Sequence, residues 1–313
     1  MSAWAIVAAA LVSQGHDELP DTVRLAFAWP AGAHADVVAE RSRDRSENGR
    51  QTAGQATLRY RVALEPSGDG YLVRYSDFAG DSPGAAPPPA EVAAHVAAFT
   101  PSYFVSRNGE FRDLADPDVM RALVDSLLGP MTAQLTASNV AAGDFLASVT
   151  SDAMLRSAAE QDWNMLVGTW AGAEFVIGDV YTSRAVEHFP LFGGIDLPMD
   201  YEFSAVQRVP CDSADGGLGC VSLQMESRPD PASVSRAIGA ALAGVMPADS
   251  AALAGATFDV RNTVHLIARP ESLLPYRLTV TTDLRLVLTE SGAASEYRQV
   301  DVRDQLFRWR SGG

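Results

Sequence analysis

The chain has 313 residues, 47% of them hydrophobic, with no apolar run near the roughly 18 residues of a membrane span, which fits one large globular domain or two small ones. A formal charge of −15, with the basic residues scattered, disfavours nucleic acid and anionic membrane surfaces as partners. All 24 basic residues are arginine, which excludes a Walker A loop, a pyridoxal phosphate Schiff base, a protein-kinase site and a Ser-x-x-Lys acylase.

Residues 1–15 begin with an apolar stretch, Met1 to Val12, and turn polar at Ser13, as the core of a signal peptide does; a helix or strand packed on the domain is the competing reading. Residues 22–78 predict four strands: Val23 to Trp29, Leu58 to Leu64 and Tyr71 to Tyr75, which alternate apolar and polar positions, and residues 35–45, which are charged towards their end. Gly80 to Pro89 reads as a loop, followed by a short helix through Val92, Val96 and Phe99. Asn108-Gly109 predicts a hairpin with a type I′ turn.

Asp116-Pro117 predicts a helix start, with Val119, Leu123, Val124 and Leu127 as the buried face. A clearer helix covers residues 151–171, with Leu155, Ala159, Trp163, Leu166, Val167 and Trp170 on one stripe. Trp163 and Trp170 share a face, which suits core packing or an aromatic wall around a ligand. Strands resume near Phe175 and run through Leu197 to Val209 and Val221 to Met225. Asp230-Pro231 then starts a helix with Val234, Ile238, Ala241, Leu242 and Val245 inward. The C-terminal part reads as a three-strand meander; its middle strand, Leu274 to Leu288, would span roughly 50 Å, a length that demands a strongly twisted, curved sheet.

The predicted fold class is α+β: a large curved antiparallel sheet, a half-barrel of long meander strands, covered by inserted helices. Residues 20–313 form a single α+β domain in this reading.

Cys211 and Cys220 are the two cysteines, and they bracket a short loop between strands. In an exported chain such a pair forms one disulfide across a hairpin end. Cys211 is in phase with the apolar positions Tyr201, Phe203 and Val209, whereas Cys220 is in phase with polar Ser222, Gln224 and Glu226. A register slip at Pro210, or placement of both cysteines beyond the last ladder pair, resolves the mismatch.

Catalytic motifs are sparse. Gly80-Asp81-Ser82-Pro83-Gly84 matches a nucleophile elbow in letters, but Pro83 has no N–H to offer an oxyanion. The five histidines, His16, His34, His95, His188 and His265, show no metal-binding spacing; no metal, cofactor or catalytic residue is assigned. Asp212 and Asp215 miss a calcium-loop pattern. Carboxylates brought together from distant strands remain open, as in glycosidases.

Long meander strands with inserted helices, together with the strand link Arg269-Pro270-Glu271-Ser272-Leu273-Leu274-Pro275, resemble the periplasmic lipoprotein-carrier superfamily and related secreted bacterial proteins. That resemblance implies a periplasmic or secreted, non-enzymatic protein holding an acyl chain, another lipid or a lipidated partner in a sheet cavity. Tyr201, Phe203, Tyr276, Leu278, Leu284, Trp163 and Trp170 are the candidate lining residues. The alternatives are a structural or protein-interaction component of the bacterial envelope, with an envelope protein as partner, and a hydrolase using dispersed carboxylates or histidines.

Overall fold

A computed structural model describes residues 21–81, 100–189, 195–212, 217–237, 256–290 and 293–310. The segment 1–15, the helix through Val92, Val96 and Phe99, Ser82, His16, His95, Asp215 and the inward residues Ile238 to Val245 lie outside the described residues.

The strands in chain order are β1 (Thr22–Arg24), β2 (His34–Glu47), β3 (Arg50–Ser67), β4 (Gly70–Asp81), β5 (Tyr103–Ser106), β6 (Phe111–Leu114), β7 (Glu174–Val176), β8 (Val180–Phe189), β9 (Ile195–Val209), β10 (Cys220–Pro229), β11 (Thr257–Ala268), β12 (Pro275–Glu290) and β13 (Ala293–Arg310). Between β6 and β7 come helices α1 (Pro117–Ser138), α2 (Val140–Val149) and α3 (Asp152–Trp163), the last continuing into one π-helical turn, Asn164–Gly168.

Eleven strands make one curved antiparallel sheet that does not close into a barrel, in the order β6-β5-β4-β3-β2-β13-β12-β11-β10-β9-β8. It consists of two meanders, β2 to β6 and β8 to β13, joined where β2 pairs with β13 from His34↔Arg310 to Glu47↔Tyr297. The chain therefore leaves one sheet edge at β6, passes through the helices, and returns at the opposite edge as β8.

The β2–β3 hairpin turns at Asn48 and Gly49, both left-handed at φ 48° and 82°, which a type I′ turn requires. The Asn108-Gly109 hairpin also forms, but its turn differs from the expected type I′. Gly109 alone is left-handed: its N–H donates to the Ser106 carbonyl at 3.0 Å, and the Ser106 hydroxyl accepts the N–H groups of Asn108 and Glu110. Gly109 is also a point of close approach: a Cβ there would lie 2.9 Å from the Phe27 ring and 3.0 Å from Val167.

The expected strand from Val23 to Trp29 is shorter than its alternation suggests. Only β1 pairs, with β7. Beyond it, Ala26 and Ala28 donate to the carbonyls of Pro270 and Ser272, and the Trp29 indole donates to the Leu273 carbonyl at 2.9 Å. The segment still buries Val23, Leu25 and Trp29, so the apolar alternation reports burial under the β11–β12 link rather than a sheet strand.

Helix α1 starts at Pro117, but its buried face is carried by Met120 and Val124, with Leu128 packed beside them. Val119 and Leu123 are exposed, contrary to the sequence pattern. The helix packs through positions four apart, 120, 124 and 128, a rotation of one residue from the expected stripe. Helix α3 matches its pattern: Ser151 caps it, and Leu155, Ala159, Trp163, Leu166, Val167 and Trp170 are all buried.

Cys211 and Cys220 are joined by a disulfide. Cys220 opens β10 opposite Val209, and Cys211 lies just beyond that last pair. The register slip occurs at Val206, not at Pro210: Ser222 pairs with Gln207 while Leu223 pairs with Ala205. A bulge within the strand brings Leu223 and Met225 opposite Ala205 and Phe203 on the core side, leaving the end of the ladder free to carry the disulfide.

Candidate functional site

The registers of β2, β3, β11, β12 and β13 run without a bulge from the core to the far hairpin ends, apart from slips at Ile267/Ala268 and near Arg59. Side-chain direction can therefore be followed along the inner face, the one that carries the core. That face has three zones.

The first is the packed core. Trp163 meets Phe27, Trp29 and Tyr103 edge-on at 5.6, 5.6 and 5.7 Å between ring centres, and its indole donates to the Gly109 carbonyl at 2.7 Å. Trp170 packs edge-on against Phe203 and donates to the Met165 carbonyl. Tyr201 stacks on Phe203, and Leu278 is fully buried in the same cluster. Tyr276 is half-buried beside it, with the Arg269 guanidinium 5.7 Å above its ring. Six of the seven candidate lining residues are thus brought together, in mutual contact or in the same cluster.

The second zone is a polar belt. Arg43 faces Asp301, which faces Thr282, then Asn262, Ser227, Tyr201 and Ser183, one residue from each of seven adjacent strands. Arg41 and Arg43 both donate to Asp301, at 2.6 and 2.9 Å. Burial alone would push the Asp301 carboxyl up; the two guanidinium hydrogen bonds reverse that and hold it below its usual range. Thr282 donates to Asn262 at 2.8 Å, and the Tyr201 hydroxyl donates to the Glu187 carboxylate. Burial, then that carboxylate, pushes the Tyr201 phenol upward.

On the core side of the belt, Arg303 reaches Asp162 of α3 at 2.8 Å, and Gln305 donates to the Tyr60 hydroxyl. Tyr75 and Tyr103 share a hydrogen bond, and burial pushes the Tyr75 phenol to about 12. These groups sit at the margin of a dry core, where each needs a partner.

Beyond the belt lies the third zone, apolar again. Leu284, Leu286 and Leu288 of β12 alternate inward, with Val260 and Phe258 of β11 opposite the first two. Val234, Ala256 and Phe258 are buried there with Leu197, Leu286 and Leu288 packed around them, a cluster separate from the main core. Asp230 accepts hydrogen bonds from the Ser233 N–H and hydroxyl, fixing the start of the helical residues 231–237 that supply Val234. Leu284, the seventh candidate, is half-buried between belt and outer cluster and belongs to neither apolar cluster.

Next to this strip, β2 continues its inward alternation with Arg41, Arg43 and Arg45 where Ala35, Val37 and Ala39 stood below. The sequence reading missed these arginines. Their two-residue spacing was visible, but the intervening Ser42 and Asp44 are polar too, so alternation alone did not say which set points inward.

The described histidines do not converge: His34, His188 and His265 lie on β2, β8 and β11, none of them adjacent in the sheet. His188 pairs with exposed Asp196, and His265 bonds Ser222 on the outer face, where Ser222 is only 4% exposed. Among the described residues, no three His, Cys, Asp or Glu side chains group as metal ligands, and no helix is long and apolar enough to cross a membrane.

No family model matches the chain, and no curated protein matches it in sequence. Among solved structures it is similar to lipovitellin, in a study of lipid–protein interactions in that protein, at TM-score 0.43 and 6% identity, covering 91% of this chain and 26% of that one. It is also similar to Pseudomonas aeruginosa OccK5 (OpdH), at TM-score 0.19 and 7% identity, covering 89% of this chain and 99% of that one. The chain spans about a quarter of the length of the lipovitellin chain it matches.

Proposed function

We propose that this chain is a non-enzymatic, exported protein that binds a lipophilic ligand, or the acyl chain of a lipidated partner, on the inner face of its curved sheet. The observation that carries this reading is the apolar strip beyond the polar belt, where half-buried Leu284, Leu286 and Leu288 continue inward past the main core. Val234 and Phe258 cover part of Leu286 and Leu288, but Leu284 packs into neither apolar cluster, and an apolar side chain left uncovered on an inner face marks a contact site. The disulfide supports an oxidising compartment, periplasmic or extracellular. The layout that resembles the periplasmic lipoprotein carriers supports the same ligand class. The β2–β13 pairing, which ties both meanders into one sheet, supports a single α+β domain over residues 20–313.

In this reading Leu284 contacts ligand directly and Tyr201 borders the strip from the belt, while Phe203, Tyr276, Leu278, Trp163 and Trp170 form the core that holds the curved sheet in shape on the other side of the belt.

Native mass spectrometry of the protein purified from a bacterial envelope tests the reading. The expected result is a co-purifying lipid mass that is lost in Leu284→Asp. An apo mass for the wild type, with no binding when monoolein is titrated in, overturns it.

A further inference from the structure

We infer that the ligand carries an anionic phosphate head, held by Arg43 and Arg45 beside the leucine strip. This rests on the lipid-binding reading and names the class of lipid. The chain carries a formal charge of −15, yet the inner face of β2 beyond the core presents three guanidinium groups at successive inward positions. Inward neighbours on one strand stand about 7 Å apart, a spacing that two guanidinium forks can close around one phosphate.

Three arginines of the outer face are spent differently. Arg277, Arg285 and Arg298 each hold a carboxylate on the neighbouring strand, Asp304, Glu296 and Asp283. On the inner face, Arg41 and Arg43 share the single carboxylate Asp301, and Arg43 uses only its Nε there. Arg45 donates to the neutral Gln299 carbonyl at 3.3 Å and lies 5.5 Å over the Tyr297 ring. Glu47, the next inward residue, faces Arg50 across the hairpin. Positive charge therefore exceeds negative charge along this stretch, and the side chains of Arg41 and Arg43 are 55% and 44% exposed.

The apolar strip is in reach. Arg45 faces Gln299 on β13, and Gln299 faces Leu284 on β12, two strand spacings or about 10 Å away. A lipid whose phosphate rests on Arg43 and Arg45 places its acyl chain along Leu284, Leu286 and Val260, on the far side of the belt from the core. A neutral lipid would use the strip alone. Guanidinium suits this task because its planar donors match phosphate oxygens and it binds water less tightly than ammonium.

Isothermal titration with 1-oleoyl lysophosphatidate and with monoolein, which share the chain and glycerol but differ in the phosphate, tests the inference. We expect lysophosphatidate to bind at least about tenfold more tightly. Arg45→Gln, which breaks no ion pair among the described residues, and Arg43→Gln/Arg45→Gln should bring it down towards the monoolein level, whereas Arg285→Gln on the outer face should leave the ratio unchanged. Inorganic phosphate binding as tightly as lysophosphatidate would make this a free-phosphate site and overturn the lipid-head assignment. Equal affinity for the two lipids, or a ratio that survives in the double variant, overturns the inference while leaving the lipid-binding reading intact. Binding of neither lipid overturns both.

Discussion

Ser222 and His265 share a hydrogen bond of 2.7 Å between Oγ and Nε2 across the β10–β11 ladder, on the outer face of the sheet. They are diagonal rather than direct neighbours, since Ser222 pairs with Ile267 and His265 with Gln224. Burial, then the nearby Arg277 guanidinium, lowers the His265 pKa below its usual 6.5, with Asp304 opposing. The folded state thus resists protonation where the unfolded chain accepts it. Stability from this site is complete above pH 6.5 and is lost as pH falls through the lowered folded value. The urea midpoint should drop between pH 7.5 and pH 5.5 (about one unit to either side of the usual histidine value), and His265→Gln should flatten that drop. An unchanged slope in His265→Gln would place the pH dependence elsewhere.

Trp163 is fully buried and touches three aromatic rings, Phe27 and Trp29 of one segment and Tyr103 of another. Trp163→Ala should cost about 3–5 kcal/mol in denaturant unfolding. Trp163→Phe keeps much of the apolar contact but leaves the Gly109 carbonyl without its donor, at a cost of about 1–3 kcal/mol. If Trp163→Ala cost less than about 1 kcal/mol, the aromatic cluster would not be the core of this fold.

The Cys211–Cys220 bridge closes a short loop, with a sequence separation of 9. Loop-closure entropy for that length predicts roughly 2–3 kcal/mol of stabilisation. Adding reductant should lower the unfolding midpoint of the wild type and leave Cys211→Ala/Cys220→Ala unchanged. Equal midpoints with and without reductant would mean that the bridge is absent in solution or adds nothing.

Period-two alternation made the C-terminal meander legible, because Leu274 to Leu288 places an apolar residue at nearly every second position, all on the inner face. Apolar patterning failed in three instructive ways. Val23 to Trp29 alternates because it is buried against a loop, and burial without a ladder gives the same pattern. The Val119 and Leu123 stripe of α1 is exposed, since apolar spacing marks a helix face without saying which side meets the sheet. Arg41, Arg43 and Arg45 were invisible as a group, because both faces of that half of β2 are polar and only its pairing with β13 shows which points inward. The disulfide was legible from two cysteines bracketing a short loop, and phase reduced the mismatch between them to a register slip or a position beyond the ladder. The slip's location at Val206 was not legible, since a bulge can sit anywhere between the two fixed ends.

Arg41 holds Asp301 across 260 residues of sequence, at the seam where the first long strand meets the last. During synthesis, β2 to β6 emerge with the 14-residue flank of β2 unmatched, and β13, the strand that covers it, is made only after β3 to β12. The N-terminal meander must therefore wait with a long open edge, the arrangement most prone to pairing with another chain. Contacts so distant in sequence make assembly slow. That delay has a consequence of its own: until β13 is made the sheet cannot complete itself, and the strands already made stay unfinished and threadable.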